Sequence, residues 1–208
     1  MSHILLKHKT QTMKKSLPFI LVLLAIIMIG GCMSCSIQRS LVGLDEDVKA
    51  KWSQVQNQYQ RRYDLIDNLV NTVKGAANFE KSTLTDVINA RSKATSITLN
   101  AEDLSPEKLQ EFQAAQGQLT QALGKLMVVN EAYPELKSNA NFLKLQDELA
   151  GTENRIAVER KNYNESVQAY NVKTRIFPNN IFAGLLGFKV RGTFEADAAA
   201  QKAPSVKF

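Results

Sequence analysis

Histidine and cysteine are missing from nearly all of this 208-residue chain. Both histidines, His3 and His8, precede the one long apolar run, and both cysteines, Cys32 and Cys35, sit just beyond it. The rest of the chain therefore cannot supply a Ser-His-Asp triad, a Cys-His pair, an ordinary zinc site or the Glu-x-x-His pairs of a di-iron bundle. No catalytic residue, metal or cofactor is expected. Glycine (10) and proline (5) are scarce and fall where elements would end. With Ala, Leu, Lys, Glu, Gln and Asn abundant, that balance favours helices over sheets. A basic stripe is lacking too. Lys7, Lys9, Lys14 and Lys15 precede Cys32 with no acid among them, so the net charge of +6 leaves only +2 for the remainder of the chain. There, acidic and basic residues alternate as on solvated helix faces, and nucleic acid is not an expected partner.

The apolar run itself is residues 17–29 (LPFILVLLAIIMI), unbroken and preceded by positive charge. This is the pattern of a secretory signal. Met13-Lys14-Lys15 has the form of a second start, so Met1 and Met13 both stand as candidate beginnings. The run meets Ile29-Gly30-Gly31-Cys32, which resembles a bacterial lipobox and makes Cys32 the candidate lipidation site. Alternatively nothing is cut, and residues 17–37 form one spanning helix of about 20 residues. Both readings make membrane lipid a partner and put the remainder on the extracytoplasmic side of a bacterial envelope. The Cys32-x-x-Cys35 spacing as a redox or zinc half-site lacks a βαβ context and two further ligands.

The organising stretch is residues 48–75. Steps of four and three from Val48 reach Trp52, Val55, Tyr59, Arg62, Ile66, Leu69 and Val73, a seam that is apolar or aromatic except at Arg62. Leu41 and Leu44 extend the spacing backwards, so the helix is expected to begin near the membrane. Gly75 is its expected stop and Asn78 a cap for the next helix, which spans about 79–95. Residues 96–104 read as an interior loop, closed by Ser105-Pro106-Glu107 with Ser as N-cap and Pro at the first helical position. A third helix comes next, its stripe interrupted at Gln116 and Gly117, and Tyr133-Pro134 ends or kinks it. The fourth is expected from about Asn139 to Val172. Four such helices imply an all-α fold, an antiparallel up-and-down four-helix bundle with an N-terminal membrane anchor. The expected organisation is 1–37 anchor, 38–177 bundle, and 178–208 an apolar segment with a flexible tail. Residues 181–188 (IFAGLLGF) have two candidate roles: docking on the lipid interface, or folding back to plug the open end of the bundle.

Trp52-Ser53-Gln54-Val55, Arg61-Arg62-Tyr63-Asp64-Leu65-Ile66, Asn68-Leu69-Val70 and Val73-Lys74-Gly75 together resemble the signature of the LemA family. So do Glu131-Ala132-Tyr133-Pro134-Glu135-Leu136-Lys137, Asn141-Phe142, Thr152-Glu153-Asn154-Arg155-Ile156-Ala157, Tyr163-Asn164 and Tyr170-Asn171. The ending matches as well, with Phe177-Pro178, Phe182-Ala183-Gly184, Gly187-Phe188, Phe194-Glu195-Ala196 and Val206-Lys207-Phe208. The resemblance implies a bacterial membrane-anchored four-helix bundle with no assigned enzymatic activity. Two departures stand out. Asp67 occupies a position that is typically proline, implying a straighter first helix. Gly31-Cys32 stands in a membrane-exit segment that usually carries a Tyr-Asn pair and no cysteine.

Arg62, Asp64 and Glu159 are expected to form a polar seam between the first and fourth helices, with a buried pair between Arg62 and a fourth-helix glutamate setting register. Tyr59, Tyr63, Tyr163 and Tyr170 are expected in the core with hydroxyls at its rim. Asn164-Glu165-Ser166 matches a glycosylation sequon but falls on a helix. The function these features suggest is a non-catalytic envelope interaction or scaffold module whose partner is an unidentified membrane or envelope protein. The alternative is a lipid-surface-binding or membrane-shaping structural protein.

Overall fold

The computed structural model describes the backbone of residues 2–75, 80–130 and 132–195. Side chains are described from Leu21 onward within those ranges, apart from Ile26, Ile29, Cys32 and Asn130. Among these residues the regular elements are all helical: α1 (Ser2–Lys74), α2 (Lys81–Ser96), α3 (Pro106–Asn130), α4 (Pro134–Lys137), α5 (Ala140–Arg175) and α6 (Asn179–Leu186). The protein is all-α. α1 runs unbroken through Asp67, as expected where proline is absent, and ends at Gly75. The candidate cap Asn78 lies outside the described residues, as do the Cys32 side chain and residues 196–208. Among the described residues no helix is long and apolar enough to cross a membrane. The side chains of residues 17–20, 26 and 29 of the apolar run are not among them.

The chain divides into two compact units. The larger comprises residues 44–172 and 190–208. All eight seam positions of α1, from Val48 to Val73, are buried in it, Arg62 included at 3% exposure. Each apolar member contributes about 1.5–3 kcal/mol by leaving water. The pairing directions are set by which residues meet. Tyr63 and Asp67 of α1 bond Ala94 and Arg91 of α2, while Trp52 bonds Leu99 just beyond α2, so α2 runs against α1. Trp52 meets Phe112, and Arg62 meets Thr120, so α3 runs with α1. Trp52 meets Tyr163, and Arg62 meets Glu153, so α5 runs against it.

The joints have local causes. Ser105 Oγ accepts the Lys108 amide at 3.4 Å with Pro106 as first helical residue, the N-cap expected of Ser-Pro-Glu. Tyr133, ahead of Pro134, is held extended (φ −120°, ψ 90°), and the proline opens α4. Asn139 Oδ1 then accepts the amides of Asn141 (3.0 Å) and Phe142 (3.1 Å) and caps α5.

The smaller unit comprises residues 1–43 and 173–189. Its core is Ala183 of α6 against Ile37 and Leu41 of α1, with Phe182 and Phe188 packed alongside. α6 ends at Gly187 in the left-handed conformation (φ +80°), which lets the Phe188 amide donate to the Ala183 carbonyl at 2.9 Å. Within the expected 178–208 stretch, α6 thus belongs to the smaller unit and residues 190–195 to the larger.

Candidate functional site

Two polar constellations are built into the larger unit. The first lies where α1, α3 and α5 meet. Arg62 Nη2 donates to Thr120 Oγ1 at 2.7 Å, and its Nη1 lies 3.4 Å from Glu153 Oε2. Thr120 Oγ1 donates in turn to the Gln116 carbonyl at 3.1 Å, and the Gln116 amide donates to the Tyr63 hydroxyl. That hydroxyl donates to the Ala94 carbonyl at 3.3 Å. The expected seam is therefore corrected in its membership. Arg62 stands on it, but its glutamate is Glu153 and not Glu159, whose carboxylate accepts from Asn162 at 3.1 Å. Asp64 is exposed and accepts from Gln60 on its own helix. Gln116 and Thr120 belong to the seam, and the only hint of it in the sequence is the polar interruption of the α3 stripe.

The second constellation was not legible in the sequence. Residues 190–195 form an extended strap bound by side-chain amides from the helices. Asn171 accepts the Arg191 amide at 2.9 Å and donates to the Arg191 carbonyl at 2.8 Å. Asn164 repeats this with Phe194 at 2.8 and 2.9 Å, and Gln113 with Glu195 at 3.1 and 2.8 Å. An extended segment has no internal hydrogen bonds, so its peptide groups need outside partners, and these amides supply them. The Asn164 amide is thereby occupied, which removes the sequon from consideration. The Tyr163 hydroxyl donates to the Gly192 carbonyl at 3.0 Å, and the Gly192 amide to the Leu104 carbonyl at 2.8 Å. At Gly192 a Cβ would lie 2.8 Å from Pro106 Cα, so only glycine fits. Phe194, 6% exposed, stacks on Trp52 with centroids 6.1 Å apart and meets Tyr163 edge-on at 5.5 Å. The signal available in the sequence was Asn164 and Asn171 inside a long helix, where asparagine is a poor helix former.

Arg191 clamps the strap at its start. Its Nη2 lies 2.7 Å from Asp45 Oδ1, and its Nη1 donates to the Ala101 (3.1 Å) and Glu102 (2.6 Å) carbonyls. Both side chains of this ion pair are close to nine-tenths buried. Beside Trp52 is a recess of about 180 Å³ lined by Gln56, Tyr59, Tyr63, Leu99 and Phe112 among others, with no carboxylate, lysine or arginine in its lining. Gln56 donates from it to the Leu99 carbonyl at 3.1 Å. General acid–base chemistry has no titratable group to use there except the phenols. Among the described residues no group of three or more His, Cys, Asp or Glu side chains is placed to hold a metal. Cys35 is a free, exposed thiol.

The phenols are held as neutral core groups. Burial pushes Tyr59 up to about 12 from the usual 10, and it raises Tyr63, Tyr163 and Tyr170 as well. Their rings are buried as expected, but the Tyr163 hydroxyl is not at the rim; it is sealed beneath the strap. An unfolded tyrosine loses its proton near pH 10 while folded Tyr59 keeps it to about 12. The unfolded state thus binds fewer protons in that window, and stability falls as pH rises through it. From Tyr59 alone the loss is about 2–3 kcal/mol. In an alkaline titration, phenolate absorbance and loss of helical circular dichroism are expected to change together between pH 10 and about 12. Phenolate appearing with the helices intact would contradict this.

Comparison with known proteins adds the relationship. Residues 51–208 match the family model described as LemA family. Magnetosome protein MamQ 2 of Paramagnetospirillum magneticum is 30% identical over 177 residues, covering 77% of this chain and 65% of its own. Magnetosome protein MamQ of Magnetospirillum gryphiswaldense is 29% identical over 167 residues (72% and 61%). Protein LemA of Metamycoplasma hominis is 28% identical over 144 residues (69% and 62%). The chain spans somewhat less than two-thirds of the length of these relatives. By the match from residue 51 to residue 208, this chain belongs to the LemA family.

Proposed function

We propose that this LemA-family protein is a non-catalytic scaffold anchored in a bacterial membrane, whose helical body engages another membrane or envelope protein. The body is an up-and-down four-helix bundle on the extracytoplasmic side; the alternating pairing directions of α2, α3 and α5 against α1 support that reading. Anchoring rests on the apolar run at residues 17–29 and on Cys32 as lipidation site or, if uncut, as part of a spanning segment. The observation that carries the scaffold reading is how the buried polar groups are used. Arg62 and Arg191 are both engaged by carboxylates and other oxygens of the chain itself, and the recess beside Trp52 is lined by no carboxylate, lysine or arginine. Such an arrangement fixes register and presents stable helix faces; it does not turn over a substrate.

Photo-crosslinking from exposed α5 positions such as Val158 in native membranes tests this. One envelope protein recovered repeatedly from Val158, and not from an exposed position on another helix such as Val128, is the expected result. Adducts to lipid alone would sink it and favour the second reading, a lipid-surface-binding or membrane-shaping protein. That second reading has its own support: α6 leaves Ile181 (53%) and Leu185 (79%) exposed.

A further inference from the structure

Charge is divided sharply between the two compact units. The smaller one, residues 1–43 and 173–189, contains Lys7, Lys9, Lys14, Lys15, Arg39, Lys173, Arg175 and Lys189, and not one Asp or Glu. With a net charge of +6 for the whole chain and these eight bases set apart, the larger unit carries −2. The smaller unit also exposes several large apolar side chains between residues 176 and 186. Phe177 is 76% exposed, Leu185 79%, Ile181 53% and Ile176 51%. In α6, Ala183 and Phe182 face Ile37 and Leu41, whereas Ile181 and Leu185, one turn apart, face outward. A helix on a water-facing surface carries polar residues on its outer side; this one carries isoleucine and leucine.

Its position supplies the reason. The contact residue Ile37 lies eight residues beyond the end of the apolar run at Ile29, about 12 Å along a helix. If the run sits in hydrocarbon, that rise places α6 at the headgroup level. Lys173 and Arg175 on one side of Phe177 and Lys189 after Phe188 then fall where long basic side chains reach lipid phosphates. A second copy of this chain is a poorer match, since a face without acids would meet its own like charge.

We infer that α6 with Phe177 is a membrane-interface element, inserting Ile181, Leu185 and Phe177 shallowly into an anionic bilayer while Lys173, Arg175 and Lys189 contact the headgroups. This deepens, and rests on, the membrane-anchored reading above. The two are separable because anchoring requires only the N-terminal segment.

The test uses the full chain carrying Leu185→Trp, with Ile181→Trp as a second variant, in vesicles of phosphatidylcholine and phosphatidylglycerol whose acyl chains are brominated near the headgroup. Trp52, fully buried in the larger unit, is the unquenched internal reference. Flotation reports anchoring and quenching of the added tryptophan reports α6. Flotation with loss of most of the added emission, weaker in phosphatidylcholine alone and after Arg175→Gln, is expected. Flotation with the added emission untouched overturns the inference and leaves anchoring standing. A blue shift that instead depends on protein concentration assigns the face to a second copy and also overturns it. Equal quenching in neutral and anionic vesicles overturns the headgroup assignment. Failure to float overturns both readings.

Discussion

Phe194→Ala is expected to lower the stability of the larger unit by about 3–5 kcal/mol, the range for removing a buried phenyl ring. The ring is 6% exposed, stacked on Trp52 and edge-on to Tyr163, so its loss opens a cavity beside the largest side chain of the core. Gly192→Ala is expected to be comparably harmful by a different route. Its Cβ would meet Pro106 Cα at 2.8 Å, Pro106 N at 3.0 Å and the Ser105 carbonyl oxygen at 3.1 Å, all backbone atoms that cannot swing aside. Either α3 shifts at its first turn or the strap lifts, and lifting strands the amides of Asn164, Asn171 and Gln113. Urea unfolding followed by Trp52 emission measures both. A loss below about 1 kcal/mol in each variant would mean the strap is an accessory and not a structural member.

Arg62→Ala is expected to cost about 3 kcal/mol, because it empties a buried site and removes the donor that Thr120 Oγ1 accepts. Arg62→Met is expected to cost far less, or to stabilise, since a well-packed apolar side chain avoids the desolvation of a guanidinium. Glu153 is half exposed and rehydrates when Arg62 is removed, so the penalty falls mainly on the arginine side. In double-mutant cycles read by thermal melting, Arg62→Ala and Glu153→Ala are expected to be less than additive by about 1 kcal/mol. Arg62→Ala and Glu159→Ala are expected to be additive. Coupling to Glu159 with none to Glu153 would refute the assigned pair.

Much of the framework was legible in the sequence because helical periodicity is a local property. Every step of the seam from Val48 to Val73 is buried, since a 3.6-residue repeat puts those side chains on one face whatever they pack against. Ser105-Pro106 and Tyr133-Pro134 acted as expected, because capping and pre-proline geometry depend only on adjacent residues. The polar seam was legible only in part. Glu153 and Glu159 are six residues apart, about 9 Å along a helix, and choosing between them requires the axial register of α5 on α1. No residue count supplies that register. The strap escaped because an extended segment with one aromatic residue has no period; its peptide groups are satisfied by residues as distant in the chain as Leu104 and Gln113.

The buried stripe of α1 shows the division most plainly. By itself the sequence determined that Val48 to Val73 form one buried stripe with a charge in it, and that no histidine or cysteine lies in the body to make that charge catalytic. Only the tertiary structure decided what the charge meets, and that residues 190–195 close over Trp52. The physical reason is range. A stripe is fixed by φ and ψ within each turn, whereas the partner of a buried guanidinium and the docking of an extended segment are set by side chains that approach only after the helices have packed.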